Sequence, residues 1–194
     1  MDEIAAEAGV SKPILYRHFR HKADLYEALA ARYTGAVSSR LRRAMRANEH
    51  PRAALRAGID SYIRLVEHET EIYRFLMERA RLSRLSGQGP VENFMRQLGD
   101  EIGLVLGERL RAAGLDSGPA EVWGHAIVGT VSAAVDWWVD RRVLPRKRLV
   151  DYVTDLLWSG FTGAPSGLAP AVLEPSVPEP AAPDADVIPL RRPR

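Results

Sequence analysis

Apolar side chains recur three and four residues apart through residues 2–161 of this chain, and the alternation a strand needs is hard to find. Such spacing implies an all-α fold, because a 3.6-residue period lines up into one apolar face only on a helix. Glycine and proline divide the pattern into segments. The first, "DEIAAEA", places Ile4, Ala5 and Ala8 on one side and acids in the first turn, where the helix dipole favours them. Gly9 ends it. Ser11 is then the expected N-cap of a second short helix, with Pro13 in a first turn where its missing N–H costs nothing.

After Phe19, Leu25, Leu29, Tyr33, Val37 and Leu41 mark a long amphipathic helix that connects two modules. Pro51 opens a stretch expected to hold two consecutive helices, broken between residues 68 and 71. "SGQGP" (86–90) reads as a loop, and the helix after it is expected to end at Gly114. Residues 120–142 are apolar or small at nearly every angular position, so that helix must be covered on both sides. Together with the amphipathic segment 146–161 it is expected to form a four-helix homodimer interface. Eight of the thirteen prolines fall in residues 164–194, which reads as a disordered Pro/Ala-rich tail.

The 194 residues include no cysteine, which excludes disulfides, thiolate metal sites and a cysteine nucleophile. No segment has the roughly 18 uncharged apolar residues a membrane helix needs, so no membrane partner is expected and a cytoplasmic location is. The net charge of +2 conceals an asymmetry: residues 1–47 hold nine Lys or Arg against five acids, 9 − 5 = +4. A basic head of this kind is either an ordinary solvated face, the commoner case in a small domain, or a surface that attracts phosphate.

Within that head, a short helix, a glycine corner and a second helix bearing Lys12, Pro13, Tyr16, Arg17 and His18 have the order of a helix-turn-helix. Ala5, Ala8, Val10, Leu15 and Phe19 are expected to fill its small core. In this motif the second helix enters the major groove and reads base edges, while neighbouring polar groups hold phosphates. The stretch "IAAEAGVSKPILYRHFRHKADLYEAL" resembles the signature of the TetR family of bacterial transcriptional regulators. The resemblance is specific over residues 4–29. Beyond them, to about residue 162, it extends only to helix number, helix length and the C-terminal pair.

That resemblance implies a helix-turn-helix DNA-binding domain (1–46), a helical regulatory and dimerisation domain (47–163), and the tail (164–194). It further implies that Lys12 and Pro13 meet base edges or the groove, that Tyr16 and His18 meet phosphates or bases, and that Lys22 anchors a phosphate; Arg17 is added to this set. Ile14 stands where the family usually has threonine, which removes a hydroxyl contact. Family members also carry a helix upstream of this motif, so the expectation is that Met1 is an internal start or that the chain is truncated.

The function implied is that of a homodimeric repressor, released from a palindromic double-stranded DNA operator by an unknown small-molecule effector. The alternative is a helical sensor or interaction module that has lost DNA binding. Tyr62, Phe75, Phe94, Trp123 and His125 are candidates to line an effector cavity, each with an ordinary core or interface role as the competing reading. No cofactor or metal is expected, because His18 and His21 lack an obvious third ligand and "HETEI" lacks the second histidine of a zinc-binding helix. No carboxylate pair or activated nucleophile stands out, so an enzyme is not expected.

Overall fold

A computed structural model describes residues 1–48, 50–83 and 89–162, with no side-chain detail for 83, 161 and 162. The described residues form eight helices: α1 (Asp2–Glu7), α2 (Lys12–His18), α3 (Lys22–Arg46), α4 (Pro51–His68), α5 (Thr70–Ser83), α6 (Pro90–Ala112), α7 (Ala120–Arg141) and α8 (Arg146–Thr162). Among the described residues there is no strand. The loop expected over 86–90 and the tail over 164–194 lie largely or wholly outside the described residues.

The boundaries follow the local chemistry. Gly9 adopts φ +65°, which a residue with a side chain rarely takes, and Val10 N–H donates back to Ala5 O at 3.0 Å to close α1. Ser11 occupies the N-cap of α2 in extended geometry, but its side chain makes no capping bond. Its carbonyl instead accepts from Ile14 and Leu15. The α3 start is held more firmly: Asp24 N–H donates to His21 Nδ1 (3.3 Å), and the Asp24 carboxylate accepts from Arg20 N–H (3.0 Å), a reciprocal cap of the capping-box kind. The break between α4 and α5 falls at Glu69, inside the expected interval.

Helix α3, about 37 Å long at ~1.5 Å per residue, buries Tyr26, Ala30, Tyr33 and Val37 along one face. It packs against α4, where Gly58 admits the Leu41 side chain at a distance a Cβ would contest. The tightest pairing joins α6 to α7. Gly99, Gly103 and Gly107 recur every four residues on α6 and face Gly124 and Ala120 of α7. A Cβ on Gly124 would lie 2.6 Å from Gly103 N and closer still to Gly99 O, so the two backbones touch there.

The main core collects Ile63, Leu65 and Val66 of α4, Tyr73 and Leu76 of α5, Val135, Trp138 and Val139 of α7, and Val150 of α8. Trp138 Nε1–H donates to Leu144 O at 2.8 Å, which satisfies its one polar atom within the core. Arg52 and Arg56 pair with Asp155 and Asp151, both at 2.7 Å, and tie α4 to α8. One face of α7 is buried as Ile127, Val131, Val135 and Trp138; another is left open, with Val122 68% and Trp137 43% exposed. No described helix is long and apolar enough to cross a membrane.

Candidate nucleic-acid interface

The head is small. Ala5 and Leu15 are buried and Ile4 and Phe19 partly so, whereas Ala8 and Val10, expected inside, are exposed. The reason is length: six residues of α1 present little more than one inward position, and the left-handed turn at Gly9 carries Val10 outward. Leu15 anchors α2, so the rest of that helix faces solvent. Lys12, Pro13, Tyr16, Arg17 and His18 are all exposed, and Lys22 joins them as the first residue of α3. The structure therefore leaves all six sequence candidates open to solvent, Tyr16 by 46%, with Ile14 of the same helix 44% exposed. An exposed aromatic and an exposed isoleucine among cations suit a surface that meets sugar, methyl groups and phosphate together.

Lys12 is not idle. Its Nζ lies 2.7 Å from the Asp2 carboxylate of α1, and that hydrogen bond holds Asp2 below the usual carboxylate range and Lys12 above the usual ammonium range. Both side chains are largely exposed, so the pair orders the lysine more than it stabilises the fold. This partnership was missed in the sequence, as was the His21–Asp24 cap. The spacing of "HKAD" as N-cap to N3 carries the second signal; nothing in the sequence pairs residues 2 and 12.

At the far end of α3 lies a cavity of about 680 Å³ between α3, α4, α6 and α7. Val37, Leu41 and Met45 form its α3 wall, Leu55 and Ile59 its α4 wall, and Met95, Leu98 and Ile102 line it from α6. Phe94 to Arg109 along α6 spans about 22 Å at ~1.5 Å per residue, so the space is elongated along that helix. Polar groups sit apart: Arg109 toward the C-terminal end of α6, and Tyr62 with Ser132 toward its N-terminal end. Burial pushes the Tyr62 hydroxyl up to about 12, with the neighbouring Tyr73 and Ser132 side chains acting in the opposite direction. Tyr73 in turn donates to Asp136 at 2.5 Å, and Asp136 faces Arg81 at 3.4 Å. A polar chain thus runs from the cavity through the core to the surface.

Of the five cavity candidates, Tyr62 and Phe94 line this space and three do not. Phe75 follows Tyr73 by two residues, which puts it on the opposite side of α5, where it meets the edge of Tyr26 (centroids 6.0 Å apart) and is 45% exposed. Trp123 packs on Leu110 and Ala120 at the end of the α6–α7 hairpin. His125 turns away from the cavity: it lies on the Gly99 backbone with Nε2 3.0 Å from Asp100 Oδ1, exposed. Arg109 and Ser132 were missed, since neither stands out from the apolar period around it.

Comparison with known proteins bears on both halves. Residues 1–29 match the family model described as bacterial regulatory proteins of the tetR family, and residues 40–169 match the tetracyclin repressor-like C-terminal domain. The chain is 34% identical over 164 residues to an uncharacterised HTH-type transcriptional regulator of Mycobacterium tuberculosis, covering 84% of this chain and 69% of that one. It is 30% identical over 169 residues to the HTH-type transcriptional activator FasR of Mycolicibacterium smegmatis, covering 85% and 74%. A solved structure of a protein with unknown function from Rhodococcus sp. RHA1 superposes with a TM-score of 0.62 at 21% identity, covering 81% of this chain and 82% of that one, which supports the fold. A head with an exposed basic helix and a helical body, matched along nearly their whole length by one family, leave one conclusion: this chain belongs to the TetR family of non-enzymatic, DNA-binding transcriptional regulators.

Proposed function

We propose that the protein is a homodimeric repressor whose hold on a palindromic operator is released by a small apolar effector. The observation that carries this reading is the placement of α3. Its first turn adjoins the exposed residues of α2, and its last turns, through Val37, Leu41 and Met45, wall the cavity. A ligand that fills the cavity therefore presses on the same rigid rod that carries the head, and it biases the spacing between two heads by its differential affinity for the two states. In this reading Lys12, Pro13, Tyr16, Arg17, His18 and Lys22 meet DNA, and residues 1–46 and 47–163 act as reader and sensor.

Support for the dimer comes from the open faces of the last two helices. Val122, Ala126, Gly129, Ala133 and Trp137 form an exposed stripe on α7, and Tyr152 and Leu156 one on α8. Such a strip of apolar and small side chains is what a second copy covers in a four-helix interface. Two recognition helices would then enter grooves about 34–36 Å apart. The cavity's shape favours an elongated apolar effector with an acidic end toward Arg109 and a hydrogen-bonding group near Tyr62 and Ser132. The activator among the relatives argues for the opposite sign of regulation, and a reporter assay decides it.

The test is fluorescence anisotropy on labelled promoter fragments across a salt series. Affinity should fall steeply and linearly on a log–log plot, as phosphate contacts require. Medium- and long-chain carboxylic acids are then added to the complex, and dissociation is expected to strengthen with chain length until the cavity is full. Binding that ignores ionic strength would refute the reader, and indifference to every apolar acid would refute the sensor.

A further inference from the structure

On the α6–α7 seam, away from both the α2 surface and the cavity, the side chains of Asp100, Glu121 and His125 converge so that one ligand atom from each lies within 4.8 Å of the others. Glu121 and His125 stand one turn apart on α7 and share a side, while Asp100 reaches them from α6. The glycine contacts between these helices fix that approach, because Gly124 meets the backbone of Gly99 and Gly103 directly. The His125 ring is itself seated: a Cβ on Gly99 would lie 2.7 Å from Cε1 and nearer still to Nδ1. With one edge of the imidazole laid against the α6 backbone, Nε2 is turned toward the Asp100 carboxylate at 3.0 Å.

The charge balance is incomplete. Among the described residues Glu121 enters no ion pair, and Asp100 pairs only with His125. Two carboxylates and one imidazole therefore share a small volume, a donor-rich arrangement that a bound divalent cation complements. The donor set selects the kind of cation. Calcium and magnesium want oxygen ligands, with magnesium near-octahedral. One imidazole nitrogen with two carboxylates suits zinc or a similar transition ion, four-coordinate with water in the last position. Ligand atoms around tetrahedral zinc stand about 3.3 Å apart, so a set already within 4.8 Å has to draw in by about 1.5 Å at most to hold it.

We propose that Asp100, Glu121 and His125 bind one divalent transition ion of the zinc type, with solvent completing its shell, and that the ion clamps α6 to α7. The site is independent of the DNA-reading surface and of the effector cavity. The experiment uses the full chain, freed of metal by chelation, and titrates zinc by calorimetry and cobalt by visible absorption, with thermal unfolding measured alongside.

Saturation at one ion per chain, a raised Tm on zinc addition, and at least a tenfold loss of affinity in both His125→Ala and the near-isosteric Glu121→Gln support the site. The remaining histidines then serve as internal controls. Absence of saturable binding overturns the proposal, and so does binding that the two variants leave unchanged. Both altered side chains are exposed, and circular dichroism without metal confirms that the variants fold.

Discussion

Gly124→Ala is the sharpest test of the packing described above, because two opposing effects act and the geometry says which is larger. In an open helix interior, exchanging glycine for alanine stabilises by about 1 kcal/mol. At position 124 the added methyl would sit 2.6 Å from Gly103 N and 2.9 Å from Gly103 Cα, with Gly99 O closer than either. All three atoms are backbone, so no flexible side chain can yield, and α6 must move away from α7. Overpacking of this kind costs about 1–3 kcal/mol, and contact with three backbone atoms places it at the upper end. The net expectation is a loss of about 2 kcal/mol, the ~3 of strain less the ~1 of propensity. Gly35→Ala on α3, where nothing lies within 4 Å, should instead gain about 1 kcal/mol. Urea unfolding followed by circular dichroism at one fixed protein concentration reads both: the midpoint falls for one variant and rises for the other at constant slope. Equal or greater stability of Gly124→Ala, with Gly35→Ala behaving as stated, would show that the helices are not in backbone contact.

Other expectations follow from individual groups. Lys12→Ala should weaken operator binding at every sequence and lower the salt slope by about one, whereas Asp2→Asn, which releases Lys12 from its 2.7 Å partner, should strengthen binding at low salt; anisotropy titrations distinguish them. Tyr73→Phe removes the donor to Asp136 from the buried chain and should cost about 1–2 kcal/mol by chemical denaturation. Tyr62 is protonated in the folded state with its hydroxyl raised from 10.0 to about 12, so its contribution is full below pH 10 and is lost as pH climbs toward 12. Tyr62→Phe should therefore flatten the alkaline arm of a stability–pH profile while leaving its slope near neutrality unchanged. Trp137→Glu with Leu156→Glu should leave a folded monomer by analytical ultracentrifugation, and a persistent dimer would place the interface elsewhere.

How much of this was legible beforehand depended on whether the cause was local. Gly9, Pro13 and Pro51 act on their own backbone, so the corner after α1 and the starts of α2 and α4 were readable residue by residue, and the head's exposed side chains followed from Leu15 being the one inward position of α2. The break at Glu69 was bracketed because the apolar period restarts there. What escaped were consequences of two helices meeting. The Gly99–Gly103–Gly107 repeat was visible as composition, but only its contact with Gly124 turns it into a seam, and only that seam lays His125 on Gly99 beside Asp100 instead of in the core. Phe75 was misplaced because hydrophobicity was read without its angle: two residues from Tyr73 is the far side of a helix. The cavity is the extreme case, since Leu98 or Ile102 looks the same in a sequence whether its neighbour fills the space or leaves it empty. An empty volume is a property of the distance between α4 and α6, and that distance is set by residues elsewhere, among them Gly58 against Leu41 on one flank and the glycine seam on the other. A change at either flank should therefore alter effector affinity without touching a lining side chain. Gly58→Ala, which crowds a single flexible leucine, is expected to shift the chain-length preference for carboxylic acids while Gly124→Ala lowers affinity for all of them.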